Sequence, residues 1–250
     1  MNCFQIGGIL AETKRVLMVD CDPQANLSAE LDIDITDRDI YSILDVFENP
    51  PKTQPAPEDI VIHQPIPELP NLDVIPSSIL LFRSERRLFS KTERERILSK
   101  YIEKHRDYFE QYDYLICDTN PSLSIVNTNV FYASDVILLT TDVSANSLLG
   151  AELFCALWDE DREELGKEDN ILALIVSNYS GISLHAKKMI EEVRKRAFSR
   201  DIVCDTIIST TVKLKETESA HKPINVYLPK HKATKQYRAL VQELFDKEVL

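Results

Sequence analysis

The sequence predicts an α/β fold: a mostly parallel, doubly wound sheet with helices on both faces. Short apolar runs alternate with longer segments of helical period along its 250 residues, which is the pattern of such a sheet. No long Gly/Ser or charge-block linker interrupts the chain, which favours one domain over residues 1–250. Hydrophobic residues make up 44% and charged residues 28%, ordinary globular values that argue against general disorder.

The apolar runs are predicted strands because each is short, continuous and bounded by polar or turn-forming residues. In chain order they are Arg15–Val19, Leu72–Ile75, Tyr114–Cys117, Val136–Thr140, Ile171–Val176 and Ile202–Ile208.

The segments between these strands predict helices. Thr92 and Glu95 have the spacing of a capping box, so a helix is expected from there to about Gln111. Ser183–Ser199 and Ala233–Leu250 have helical period as well. The proline-rich interval 50–70 has too many fixed φ angles for a helix or a central strand, so we expect a surface excursion there.

Composition also limits the compartment and the partners. The five cysteines are scattered singly, with no CxxC pair or metal-ligand spacing, and indicate reduced core residues of a cytoplasmic protein. Neither a signal peptide nor an apolar run long enough to span a bilayer is evident. The net charge of −12 argues against attraction of the whole surface to DNA. Residues 171–250, however, carry 14 Lys and Arg against 9 Asp and Glu, which indicates a local basic face or a solvated helix.

Acidic side chains stand where predicted strands end. Asp20 and Asp22 follow the first strand, Asp118 the third and Asp142 the fourth. Ligands of open α/β sheets bind at the carboxyl ends of the strands, so these acids are candidates for one magnesium-phosphate centre. Each acid taken alone is more typical of a helix cap or turn.

Together these segments resemble the ParA-type (Soj-like) partition ATPases of the deviant Walker group. Arg15–Leu27 is similar to the RVLLVDxDPQGN motif of that family, Asn71–Ser77 to its NLDxIPS strand, and Tyr112–Leu123 to its YDxIIIDxPPSL Walker B segment. His221–Ile224 and Tyr227–Tyr237 resemble the terminal HGKPI, YDP and AYxxLAxE signals. The resemblance runs in the family's own order from about residue 10 to 245 and implies a P-loop NTPase-like fold.

The resemblance implies ATP and Mg²⁺ as cofactors and assigns roles to the acids. Asp20 would lie near the magnesium and its water shell, and Asp22 would orient the attacking water as the catalytic residue. Asp118 would hold magnesium as the Walker B acid. Asn178 lies where the family approaches the adenine, although a turn residue explains it equally well.

The phosphate loop of the family is expected ahead of Met1. Its KGGxGKT lysine lies about 20 residues before the first motif Asp, and Gly7-Gly8 is not followed by Lys, Ser or Thr at the required spacing. The resemblance instead aligns Phe4–Thr13 with the helix that follows the loop, which predicts a helix there. We therefore expect an N-terminally incomplete domain, without the first strand and P-loop, that shows no ATP turnover. A degenerate, non-hydrolysing homologue that acts as a binding partner, or another deviant Walker ATPase, stays open. A receiver-like signalling module fits poorly, because Asp118 is far too distant in sequence from the first acid pair.

The family also implies partners: non-specific DNA, a ParB-type centromere-binding protein and a second copy in a nucleotide-bound homodimer, with the protein on the cytoplasmic nucleoid and no membrane. The candidate phosphate contacts are basic residues near the C-terminus. They are Arg194, Lys195, Arg196, Lys213, Lys215, Lys222, Lys230, Lys232 and Lys235.

Overall fold

The computed structural model describes residues 2–37, 39–180, 188, 191 and 202–250, which divide into two compact units. The first unit comprises Met1–Ala133 and Thr217–Tyr227, and the second comprises Ser134–Glu216 and Leu228–Leu250. Within the described residues, no helix has the length and hydropathy needed to cross a membrane.

The first unit is built on a four-stranded sheet in the order β2-β3-β1-β4. Strands β1, β3 and β4 are parallel, and β2 joins the edge in the antiparallel direction. Every residue of β1 and β3 is buried, as expected for strands covered on both faces. The bounds are β1 Val16–Asp20, β2 Ile62–His63, β3 Leu72–Ile75 and β4 Tyr114–Asp118.

Short helices connect and cover this sheet. One 3₁₀ turn, Arg94–Arg96, precedes α6. The helices are α1 Asn2–Leu10, α2 Asn26–Glu30, α3 Ile43–Glu48, α4 Pro57–Ile60, α5 Leu81–Leu88, α6 Ile97–Lys104, α7 Arg106–Phe109 and α8 Ile125–Ala133.

The second unit contains a parallel three-stranded sheet in the order β5-β6-β7. Trp158 of α9 is fully buried, and its indole N–H donates to Asn170 Oδ1 at 2.9 Å. On α12, Glu243 accepts from the β7 amides of Asp205 and Thr206 at 2.6 and 2.8 Å. The elements are β5 Ile137–Thr141, α9 Ala145–Leu165, β6 Ile171–Tyr179, β7 Val203–Ser209 and α12 Lys232–Asp246.

The chain returns to the first unit through α10 (Val212–Ala220) and α11 (Ile224–Tyr227), which attach to α1. Gln5 donates to Thr217 Oγ1 at 3.1 Å and accepts from the Ile224 amide at 2.7 Å. Gly8 packs so closely that an added Cβ would lie 2.6 Å from the ring of Pro223. Gly8 is therefore a packing position inside a helix, where a side chain would separate α1 from Pro223.

The predicted fold class is confirmed, and all six predicted strands are present within three residues of their expected ends. The two-unit division leaves the single domain over residues 1–250 a prediction. The helix predicted for Phe4–Thr13 is α1, and the predicted C-terminal helix ends at Asp246. The helix predicted for Ser183–Ser199 lies outside the described residues, apart from helical positions 188 and 191.

Two local predictions were wrong. The capping box at Thr92 does not form, because Glu93 has a left-handed backbone (φ 52°) and α6 begins only at Ile97. Its first amides, those of Ile97 and Leu98, donate instead to Asn129 Oδ1 at 2.7 and 3.2 Å. The helical stretch also breaks at His105, between α6 and α7.

The proline-rich interval is more than a surface excursion. It contains α4, with Pro57 at its start, and the edge strand β2, and it buries Ile60 and Ile66. Proline is tolerated at a helix start, and an edge strand leaves one row of amides unpaired, so neither element violates the constraint that the prolines impose.

Candidate functional site

The pairing of β1 with β4 brings the predicted acids of the first unit together. Asp20 and Asp118 are the last residues of the two strands and are direct partners in the parallel register. The Cys21 amide extends the ladder by donating to the Asp118 carbonyl at 2.9 Å. Both carboxyl groups therefore lie at the carboxyl ends of neighbouring strands, and Asp22 lies two residues after Asp20.

Asp20 is completely buried, and protein donors hold its carboxylate. Oδ2 accepts from the amide and hydroxyl of Ser28 at 2.8 and 2.7 Å, and Oδ1 accepts from the Asp22 amide at 3.1 Å. Burial raises the pKa of Asp20 to about 7 against the opposing effect of the Ser28 hydrogen bonds, and the charge of Asp118 raises it further. With both oxygens engaged, Asp20 is suited to contact a metal through its water shell rather than directly.

Asp22 lies in the turn after β1 and keeps one oxygen available. Its Oδ1 accepts from the Gln24 amide at 2.9 Å and from Asn120 Nδ2 at 3.5 Å, whereas Oδ2 accepts no hydrogen bond from a described residue. The Ser77 hydroxyl donates to the Asp22 carbonyl at 2.8 Å and fixes the turn. The side chain is thus positioned by its neighbours while one carboxylate oxygen can still meet a ligand.

Asp118 has no hydrogen-bond donor to its carboxylate among the described residues. Burial is the main cause of its raised pKa, and the negative charge of Asp22 raises it further. A half-buried carboxylate beside a second acid favours a nearby positive charge, and a divalent cation is one such charge.

These residues fit a metal that is bound together with phosphate. The described part of the chain holds no cluster of three His, Cys, Asp or Glu side chains able to ligate a metal ion. Mg²⁺ keeps several waters and is commonly bound by one or two carboxylates plus substrate phosphate oxygens. Asp118, with Asp20 behind it, matches that donor set better than the closed cage of a structural metal.

Five supporting residues had no predicted role. Ser28 donates to Asp20 and accepts from the Ser77 amide at 2.9 Å, so one hydroxyl links α2, β1 and the loop after β3. Asn127 is fully buried, and its Nδ2 lies 2.8 Å from Asn120 Oδ1 and 2.8 Å from the Ser122 carbonyl. Ser77, Asn120 and Ser122 belong to the quoted motifs, which could have signalled a role, whereas Asn127 carried no such signal.

Other predicted site residues belong to the second unit. Asn178 is an exposed residue of β6 with a left-handed φ of 58°. Asp142 accepts from the Ser144 amide at 2.7 Å, which is the turn role left open for it, and a hydrogen bond with the Ser144 side chain is the main cause of its lowered pKa. Their predicted contributions to a nucleotide site stay predictions.

The predicted DNA contacts differ in their surroundings. Lys222 belongs to the first unit and forms an ion pair with Glu68. Lys213 is exposed in the second unit and pairs with Glu216 at 2.8 Å. Arg194, Lys195 and Arg196 lie outside the described residues. The remaining candidates are exposed lysines of the second unit: Lys215, Lys230, Lys232 and Lys235.

Comparisons with known proteins agree with this arrangement. An AAA-domain family model (AAA_31) matches residues 4–171. The chain is 30% identical to the sporulation initiation inhibitor protein Soj of Bacillus subtilis, over 92% of this chain and 86% of Soj. It is 28% identical to the chromosome partitioning protein ParA of Myxococcus xanthus, over 94% of this chain and 78% of that protein. The fold is similar to that of a Cyanothece McdA variant in complex with ATP, with a TM-score of 0.79, 20% identity and coverage of 97% and 90%.

Proposed function

Because the chain belongs to the AAA-domain family and, within it, to the ParA-type partition ATPases, we propose that it is a partition protein for the segregation of plasmid or chromosomal DNA. In this proposal the protein dimerises with ATP, binds DNA without sequence preference and responds to a ParB-type centromere-binding protein. It acts in the cytoplasm on the nucleoid. Identity of 30% with Soj over most of both chains supports the family part of this proposal.

One observation supports the site most directly: Asp20 and Asp118 are register partners at adjoining strand ends, and Asp118 has no described donor. Asp118 would hold magnesium, and Asp20 would hold its water shell. Bound magnesium would neutralise charge on the phosphate oxygens of ATP. Asp22 would orient the attacking water through Oδ2, since its Oδ1 is occupied by the Gln24 amide. Asn178 stays the candidate for base contact.

Metal binding by the full chain tests the acidic site. Titration with Mn²⁺, followed by electron paramagnetic resonance, should show a site that Asp118→Asn weakens at least about tenfold, because one of the few available carboxylates is lost. Asp107→Asn is the matched control, since Asp107 is an exposed acid of α7 in the same unit. Equal affinity in the wild type and in Asp118→Asn would refute the assignment.

DNA binding tests the cellular role separately. Fluorescence anisotropy with labelled duplexes of unrelated sequence should give similar affinities that fall linearly with the logarithm of salt concentration. No binding at low salt would remove the partition proposal for this chain.

Hydrolysis is a third measurement. The 250 residues contain no GxxxxGK[ST] sequence, so we expect no phosphate release from ATP by this chain. DNA-stimulated turnover by the purified chain would contradict that expectation. DNA binding without turnover would favour the non-hydrolysing alternative.

A further inference from the structure

Helix α9 presents a leucine stripe to solvent. Leu149, Leu153 and Leu157 follow one another at four-residue spacing and are 52, 54 and 49% exposed. Residues four apart lie on one face of a helix, so the three side chains form a continuous apolar row about 12 Å long. The buried face of α9 is a different one, formed by Leu148, Cys155 and Trp158, so the sheet of the second unit does not account for this row.

The same helix becomes acidic where the stripe ends. Glu160 and Glu164 are exposed on the last turns of α9 and form no ion pair in the described structure. Asp161 lies between them, and its pKa is raised by burial first and then by the charges of Glu164 and Glu160. Among the described residues, nothing pairs with Glu160 or Glu164, so this end of α9 is acidic.

Helix α5 presents the opposite combination. Phe82 of α5 and Phe89, the residue directly after the helix ends at Leu88, are 72 and 70% exposed. Arg83 and Arg86 lie beside them, exposed and without an ion pair in the described part of the chain. We name Phe82, Arg83, Arg86 and Phe89 the arginine–phenylalanine patch. Exposed aromatic side chains on a basic face, in a protein of net charge −12, point to an acidic partner that also has an apolar surface.

We propose that the leucine stripe and acidic end of α9 in one copy bind the arginine–phenylalanine patch in a second copy. Both surfaces are apolar, and their charges are of opposite sign. A lipid surface would account for the arginines but not for the acidic leucine stripe. Such a contact between unlike surfaces closes a dimer if it is reciprocated and otherwise extends a chain of copies.

The association is expected to be weak and independent of nucleotide. A single helix-on-helix contact buries less than the roughly 800 Å² per partner of a stable interface. We therefore expect dissociation constants in the micromolar range or above, and weakening by salt because exposed charges contribute. Neither surface includes Asp20, Asp22 or Asp118, so failure of this proposal leaves the proposed function untouched.

Charge exchange tests the contact. Sedimentation equilibrium without nucleotide should show that the wild-type mass rises above that of the monomer with concentration. Arg83→Glu with Arg86→Glu, and separately Glu160→Lys with Glu164→Lys, should each raise the dissociation constant at least tenfold. An equimolar mixture of these two variants should associate again, because each then offers the surface that the other lacks. Glu103→Lys with Glu110→Lys changes exposed acids elsewhere on the first unit and should behave as the wild type.

Four results of the association and vesicle-binding measurements would overturn the proposal. In the association measurements, these are a wild type that stays monomeric at all concentrations, charge variants that associate as the wild type does, and a mixture that stays monomeric. In the vesicle-binding measurement, it is binding of the wild-type monomer to anionic vesicles that Arg83→Glu with Arg86→Glu abolishes. Thermal unfolding of each variant is measured beside its mass. A large fall in unfolding temperature for the α9 variant, without rescue in the mixture, would assign that face to the protein's own fold and would also overturn the contact.

Discussion

Replacing Ser28 with alanine removes one hydroxyl that serves two buried groups. The hydroxyl donates to Asp20 Oδ2 at 2.7 Å and accepts from the Ser77 amide at 2.9 Å, and Ser28 itself is fully buried. A hydrogen bond to an ionised group contributes about 1.5 to 3 kcal/mol, and a buried amide left without an acceptor costs about 1 to 3 kcal/mol. At pH 8 we therefore expect the free energy of unfolding to fall by about 3 to 5 kcal/mol.

The cost should depend on pH because the pKa of Asp20 is about 7. At pH 5.5 Asp20 is mostly protonated in the folded state, so the lost hydrogen bond is between neutral groups and contributes only about 1 kcal/mol. The unpaired Ser77 amide remains at either pH. We therefore expect a cost of about 2 to 3 kcal/mol at pH 5.5, about 1 to 2 kcal/mol less than at pH 8.

Urea unfolding followed by far-ultraviolet circular dichroism at both pH values measures these costs. Ser90→Ala is the matched control, since Ser90 is an exposed serine of the same unit and should change stability by less than about 0.5 kcal/mol. Equal costs at the two pH values would refute the raised pKa of Asp20. A cost below about 1 kcal/mol at both would refute the hydrogen-bond network itself.

Three further predictions concern other parts of the chain. Between pH 4 and 7 folded Asp20 keeps a proton that the unfolded chain releases, so the free energy of unfolding falls as pH rises. In urea unfolding, the stability of Asp20→Asn relative to the wild type should therefore increase by about 2 to 3 kcal/mol between pH 5 and pH 8. Parallel pH curves for the two proteins would contradict this. Gly8→Ala should lower the free energy of unfolding by about 2 kcal/mol or more, because the added Cβ overlaps with Pro223. Gly150→Ala is the control: no atom lies within 4 Å of its added Cβ, and it should raise the free energy of unfolding by about 0.5 to 1 kcal/mol. Equal effects of the two substitutions would refute the close packing. Charge reversal of Lys213 with Lys215 should reduce the salt slope of DNA binding by up to about 2, Lys52→Glu should leave it unchanged, and an unaltered slope would remove that surface from the DNA contact.

The strands were predictable because each is a short apolar run whose burial needs no knowledge of the rest of the chain. The acids at the strand ends were predictable for a related reason, because the carboxyl ends of parallel strands lie on the same side of the sheet. Asp20 and Asp118 are register partners although they are 98 residues apart in sequence. Two such strands and their final residues suffice to place both carboxyl groups.

The errors arose where a distant residue overrode a local pattern. The Thr92–Glu95 spacing satisfies the rule for a capping box, yet the amides at the start of α6 are satisfied by Asn129, which lies more than thirty residues away. Ser28 reaches Asp20 because α2 begins directly after Ala25, whose left-handed backbone (φ 52°) turns the chain. Alanine rarely adopts this conformation, so no sequence rule indicates it.

The attachment of Thr217–Tyr227 to α1 has a consequence for synthesis of the protein. The partners of the Gln5 side chain and of the Gly8 carbonyl lie 212 to 219 residues later in the chain. At about 5 to 20 residues per second, a ribosome needs roughly 10 to 40 s to make that interval. During this time the face of α1 that contacts α11 is uncovered, and slower elongation lengthens the period for which the nascent chain exposes it.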